Sequence, residues 1–181
     1  MLKDWAPGTV KFNGEEIKEP GFALNYDKIN GKLLYKRSDN SILEVDMSKV
    51  EQFSLKDPAK GDQIFIKGTN YGETGFLNEV YNNNDYLLFK TISCKFKAAD
   101  FKSNGMFTSG NDYDEYIDEN HFIIVTPKGA IVKVDRLNGK EIKNLTAIFP
   151  EATSFIKNNA NSDNREAFLI QLLDTVAPIN Q

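Results

Sequence analysis

Cysteine, histidine and tryptophan each occur once in this chain, and each scarcity closes off a class of function. With Cys94 alone, no intrachain disulfide can form, and the repeated Cys/His spacings of a zinc site are missing. His121 would have to serve every histidine-dependent scheme, whether general base, Ser-His-Asp relay or zinc ligand. Lying beside the apolar run Phe122-Ile123-Ile124-Val125, it reads first as a strand-end residue. Basic excess is also lacking. The 22 Lys and Arg against 26 Asp and Glu give a net charge of -4 and a pI near 5.1, which argues against a nucleic-acid partner because no footprint for a phosphate backbone is left. No apolar run approaches the roughly 18 residues of a membrane span, and Met1-Leu2-Lys3-Asp4-Trp5 shows no apolar leader with a small-residue cleavage site. Gly68, Gly72 and Gly75 are spaced like a phosphate loop, but no Gly-Lys-Ser/Thr and no helix follow, so that reading fails.

What the chain does have is aromatic mass and alternation. Thirteen Phe and seven Tyr in 181 residues support a packed core, and a domain of this size buries roughly 70% of its unfolded surface. The clearest alternation runs from Gly21 to Leu55 around Asn30-Gly31, a pair favoured where turn residues need φ > 0. Asn13-Gly14 predicts an earlier hairpin between Thr9–Phe12 and Glu15–Lys18, closed by Pro20-Gly21. Asp57-Pro58-Ala59-Lys60-Gly61 then connects to the strand Gln63–Lys67. Phe76–Tyr81 and Tyr86–Lys90 form a hairpin across an Asn-rich loop, and His121–Val125 with Ala130–Val134 forms the last one. Cys94, Phe96 and Ala98 alternate with Lys95 and Lys97 as a strand with one dry face. Residues 99 to 112 read as a mobile loop.

At Asn138-Gly139 the period switches from 2 to 3.6. Ile142, Leu145, Ile148 and Phe149 mark one helix, and Pro150 opens a second. Asp163, with Glu166 three residues on, caps a third, whose stripe is Phe168, Leu169, Leu172, Leu173 and Val176 before Pro178 stops it. The expected fold is mainly β (α+β): an antiparallel sandwich or partly open barrel of about ten short strands, with two or three short C-terminal helices packed on it. The β body spans 1–136 and the helical segment 137–181, in one structural domain.

Chemistry is thinner. Tyr71, Tyr113 and Tyr116 sit in or beside polar loops and are the candidate ligand-binding residues, since aromatic faces stack on the apolar faces of sugars. Asp112, Asp114 and Asp118, in an acidic run with Glu115 and Glu119, are candidate calcium ligands of an irregular loop; the EF-hand pattern fails at Tyr116 and Ile117. No other cofactor is implied. The same run faces the basic stripe Lys90, Lys95, Lys97 and Lys102, and cross-strand ion pairing is its plain explanation. Cys94 reads as a small hydrophobe rather than a nucleophile. Asn144-Leu145-Thr146 is a glycosylation sequon by pattern, within a predicted helix.

The segment Gly21–Lys36 followed by Val50–Leu55 resembles stretches of uncharacterised bacterial secreted β-rich proteins. The resemblance implies an exported protein, secreted or periplasmic, whose signal peptide is not in this sequence; composition alone leaves a cytoplasmic location open. It brings no catalytic motif. The reading is a non-catalytic extracytoplasmic binding or interaction module facing a protein or carbohydrate surface. Its rivals are a carboxylate-based hydrolase acting on a carbohydrate-like substrate, and a structural partner domain that uses a sheet edge.

Overall fold

The computed structural model describes residues 5–17, 23–59 and 61–177. The Gly21-Phe22 opening of the alternating stretch, the Pro20-Gly21 break, Lys60 of the connector and the stop at Pro178 lie outside the described residues. The strands of the main sheet are β1 (Ala6–Phe12), β2 (Glu15–Ile17), β3 (Ala23–Asp27), β4 (Lys32–Lys36), β5 (Ile42–Glu44), β6 (Val50–Asp57), β7 (Gly61–Lys67), β8 (Phe76–Asn82) and β9 (Leu87–Thr91). After an excursion, taken up below, the chain returns with β14 (Phe122–Val125) and β15 (Ile131–Val134). All pairings are antiparallel, in the order β15-β14-β9-β8-β7-β6-β1-β3-β4-β5 with β2 on β1, and the sheet does not close into a barrel.

Register lines up one front-face row across the sheet: Val10, Phe53, Phe65, Asn78, Lys90, Phe122 and Val134 are successive cross-strand partners. Because side chains alternate along a strand, this row needs covering wherever it is apolar. The chain covers it from both ends. At one end β1 pairs along Gly8–Phe12 with β6 and, by Ala6 and Pro7, with β3, so β3 to β5 fold back over the face. Tyr26 of β3 thereby meets Phe53 and Phe65 at centroid distances of 5.3 and 5.9 Å, and Phe53 stacks on Phe65 at 4.6 Å. At the other end lie helices α1 (Gly139–Ile148), α2 (Thr153–Asn159) and α3 (Arg165–Val176), with a short 3-10 turn at Pro150–Ala152 before α2. Leu145, Phe149, Ile156, Phe168, Leu169, Leu172 and Leu173 pack on Leu88, Phe122, Ile124, Val132 and Val134. The expected helical segment is therefore part of the fold.

Local chemistry explains most boundaries. Asn13 and Gly14 both take positive φ, as the two-residue hairpin requires. The Asn30-Gly31 turn is longer than the sequence signal implies: only Gly31 has positive φ, and Asp27 shapes a loop by accepting from the Ile29 and Asn30 amides. The cap of α3 is Asn164, which accepts from Ala167 N, one residue past the expected Asp163. Glu166 does not complete a capping box; its carboxylate reaches Lys90 of β9 at 2.8 Å and ties the helix to the sheet.

Candidate functional site

Between its two covers the front face stays open. Phe65, Asn78 and Lys90 floor a groove of about 470 Å³, with Trp5, Pro7 and Leu55 along one side and Ile92, Asp118 and Asn120 along the other. Lys28, in the turn after β3, reaches across to form an ion pair with Asp118. That pair holds Lys28 above and Asp118 below their ordinary pKa values, chiefly through their mutual hydrogen bond. Cys94 Sγ donates to the same carboxylate at 3.2 Å. Burial first, and then that bond, pushes its thiol up, so Cys94 is held protonated rather than activated.

Ile92 and Asp118 are also the root of the excursion between β9 and β14. Residues 94–118 form an antiparallel ribbon built of β10 (Cys94–Lys97) with β13 (Glu115–Asp118), extended by β11 (Lys102–Ser103) with β12 (Thr108–Ser109). It forms two small sheets separate from the main one, and every residue from 95 to 110 is exposed. Segment 99–112, expected as a mobile loop, is thus a hydrogen-bonded continuation of the arm. Asp100 N donates to Asn111 O at 3.0 Å, and the Asp100 carboxylate accepts from Asn111 N. At the tip Asn104 Oδ1 accepts from the Met106 and Phe107 amides while Gly105 takes positive φ. This turn displays Met106 and Phe107 at 88% and 74% exposure.

Among the described residues twelve large hydrophobic side chains are exposed, and seven of them lie on this arm: Phe96, Phe101, Met106, Phe107, Tyr113, Tyr116 and Ile117. Single exposed hydrophobes need no explanation, but a concentration of this kind marks a contact surface. Register puts Phe96 opposite Tyr116, rings 5.4 Å apart, on the face that carries Cys94 and Asp118. The arm's apolar inner face therefore continues from the groove. Cys94 does not lie on a dry strand face, as its alternation implied; it sits at this junction.

No family model, curated protein or solved structure matches this chain.

The residues singled out in the sequence fall into three places. Tyr113 and Tyr116 are on the arm, whereas Tyr71 packs its ring, tilted, against Phe89 at 4.7 Å on the back of the sheet and does not join them. Asp112, Asp114 and Asp118 are spread along β13 and its approach: Asp114 accepts from Ala99 N at 2.8 Å, Asp118 holds Lys28, and Asp112 is exposed. Among the described residues no three His, Cys, Asp or Glu side chains gather into a metal-holding set. The anticipated cross-strand ion pairing does occur, as Lys97 with Glu115 at 3.1 Å. Asn144 is exposed within α1.

His121 lies on the back face in a row that resembles a catalytic relay, with Thr91 Oγ1 3.3 Å from Nδ1 and Glu73 Oε1 3.2 Å from Nε2. The hydroxyl is not free to act as a nucleophile. Thr91 is only 7% exposed, and its Oγ1 donates to His121 O at 3.2 Å and accepts from His121 N at 2.9 Å. Glu73 is bridged to Lys133 as well. The group pins the 68–75 loop to β14 and β15.

The sequence marks 103–116 as a polar, aromatic-bearing loop, but neither the groove nor the folded shape of the tip is legible in it. Nothing in residues 99 to 112 alternates, and the groove exists only because two distant segments stop short of each other. The one usable signal was Met106-Phe107, an apolar pair inside a polar, glycine-punctuated run.

Proposed function

We propose that this protein is a non-catalytic interaction module that recognises another protein through the arm 94–118 and the groove from which it springs. The supporting observation is the placement of seven exposed hydrophobic side chains on an ordered arm. A lone two-stranded ribbon is at best marginally stable in water, so an arm of this composition gains most when a partner covers it. Aromatic and Met anchors with polar neighbours are the composition of contact hot spots. The hydrolase alternative is poorly served by the acidic run, because an acid catalyst needs a raised pKa. The Asp118 carboxyl is instead held low by Lys28, and Glu115 is engaged by Lys97 and Asn111. A sugar surface remains the second reading, carried by the exposed rings of Tyr113 and Tyr116.

A photo-reactive phenylalanine analogue at position 107, introduced in the cells that make the protein, tests the proposal. The expected result is a covalent protein adduct that is lost when Met106 is also changed to Asp. No adduct, together with oligosaccharide binding that Tyr113→Ala and Tyr116→Ala abolish, would overturn it.

A further inference from the structure

The arm's partner can be narrowed, on the footing that the arm is a protein-recognition element. We infer that the partner is a second copy of this chain, and that two copies exchange arms across a two-fold axis so that Met106 and Phe107 of each enter the groove of the other.

Four observations converge on this arrangement. The first is fit. The groove of about 470 Å³ is floored and walled by Phe65, Trp5, Pro7, Leu55 and Ile92, within the size range of pockets that take apolar groups. The tip offers one thioether and one phenyl ring on a turn whose backbone is fixed by Asn104.

The second is charge. The arm carries Lys95, Lys97 and Lys102 against Asp100, Asp112, Asp114, Glu115 and Asp118, a net negative segment, but its tip from Ser103 to Asn111 holds no charged side chain. In the groove Lys28 is already paired with Asp118 and Lys90 with Glu166. The uncharged tip can therefore enter without burying an unpaired charge of its own or stripping a partner from Lys28 or Lys90. The same negative arm is repelled by anionic lipid, which argues against a membrane as the apolar tip's target.

The third is closure. Ile92 and Asp118 belong to the groove wall and border the arm's root, so each arm leaves from the edge of its own groove. From Cys94 to Gly105 at about 3.3 Å per residue the arm reaches roughly 35 Å, far enough to cross onto a neighbouring body. If one arm enters a neighbour's groove, a two-fold axis returns the neighbour's arm by the same contact, and the assembly stops at two. The inner-face pair Phe96 and Tyr116 then lies along the shared axis, covered by its own symmetry mate.

The fourth is area. Phe96, Phe101, Met106, Phe107, Tyr113 and Tyr116 can each cover about 100 Å² or more; counted on both arms with the walls they meet, this reaches the ~1,200–2,000 Å² of a stable interface.

Sedimentation velocity from about 1 to 200 μM, the range over which contacts of this area separate from non-specific ones, reads the outcome directly. The wild-type chain is expected to dimerise. The Met106→Glu, Phe107→Glu double variant, changed only at exposed positions, is expected to dissociate about 30-fold or more easily, and Ile92→Glu in the groove wall likewise. Circular dichroism checks that each variant remains folded. Mixing the tip variant with the groove variant restores one of the two junctions, so the mixture is expected to form a heterodimer when neither variant alone dimerises. A wild-type chain monomeric throughout, or a dimer indifferent to the tip substitutions, overturns arm exchange. In either case a position-107 adduct to a different protein shows that the broader reading has survived, whereas no adduct together with oligosaccharide binding that depends on Tyr113 and Tyr116 shows that it has failed too.

Discussion

Gly8 is the residue on which the double covering of the front face turns. It sits where β1 leaves its pairing with β3 and continues against β6, and a Cβ there would lie 2.1 Å from Ser54 O and 2.8 Å from Leu24 Cδ1. A backbone oxygen in a ladder cannot step aside without parting the strands, so Gly8→Ala is expected to destabilise by about 1–3 kcal/mol, the usual cost of overpacking. A urea midpoint equal to wild type would refute the close approach. In the sequence Pro7-Gly8 looks like punctuation, yet both residues lie inside β1. A second residue-scale expectation concerns Glu73. Burial works against its charged form, but hydrogen bonds from Lys133 and His121 outweigh burial and hold its carboxyl below the usual carboxylate range. Folded Glu73 thus binds its proton less tightly than unfolded Glu73. Its ionised form stabilises the fold above the ordinary glutamate pKa of about 4.3, and that contribution drains away as pH falls through the lower folded value. Glu73→Gln should therefore lower Tm near neutrality, with the gap to wild type closing toward the acid end. A gap of constant size across that range would show that the carboxylate's charge is not what matters.

Among the elements, α1 is the best specified by its own residues. Asn138 Oδ1 accepts from Lys140 N and Glu141 N, both at 3.0 Å, so Asn138→Ala should cost about 1 kcal/mol, read as a lower thermal midpoint, while Asn138→Ser should recover most of it. Failure of Ser to rescue would mean that the helix start is held by tertiary packing instead. This helix is legible in the sequence because its period is local, as are the Asn13-Gly14 hairpin and the alternating strands β6 to β9, whereas the Asn138 cap is seen only in the structure. The α3 cap falls one residue past the expected Asp163 because Asp163 and Asn164 are equal candidates locally, and Glu166 is drawn away by Lys90, 76 residues earlier. The distal half of the arm is hidden in the sequence for a related reason. β11 and β12 are two residues each, too short for alternation, and the bonds that order them run from Asp100 and Asn104 side chains to the backbone. Tyr71 lies apart from Tyr113 and Tyr116, a separation hidden in the sequence because a polar loop says nothing about the sheet it folds onto.

For the whole molecule the open question of physics is whether two cores on one sheet unfold together. Val10, Leu24, Tyr26, Phe53 and Phe65 form one, and the helices with β9, β14 and β15 form the other. They share no buried side chain, which would favour independence, but β6, β7, β8 and β9 pair in succession from one to the other, with a single register shift between Glu79 and Tyr81, and a strand cannot lose one neighbour without exposing its ladder. The third buried group, Leu77, Phe89 and Ile123 on the back face under Tyr71, lies across the junction. These couplings argue for a single transition, and the chain supplies its own reporters. Trp5, its only tryptophan, lines the groove beside the first core, while the far-ultraviolet helix signal comes from α1 to α3 over the second. Tryptophan emission and ellipticity at about 222 nm are expected to change at the same urea concentration, with the same slope, as two-state unfolding requires. Leu172→Ala, which empties a fully buried position in the helical core, should move both midpoints together by an amount equivalent to about 2–5 kcal/mol. If it shifts ellipticity and leaves Trp5 behind, the sheet does not transmit the loss, and the helical segment must be treated as a second cooperative unit resting on the first.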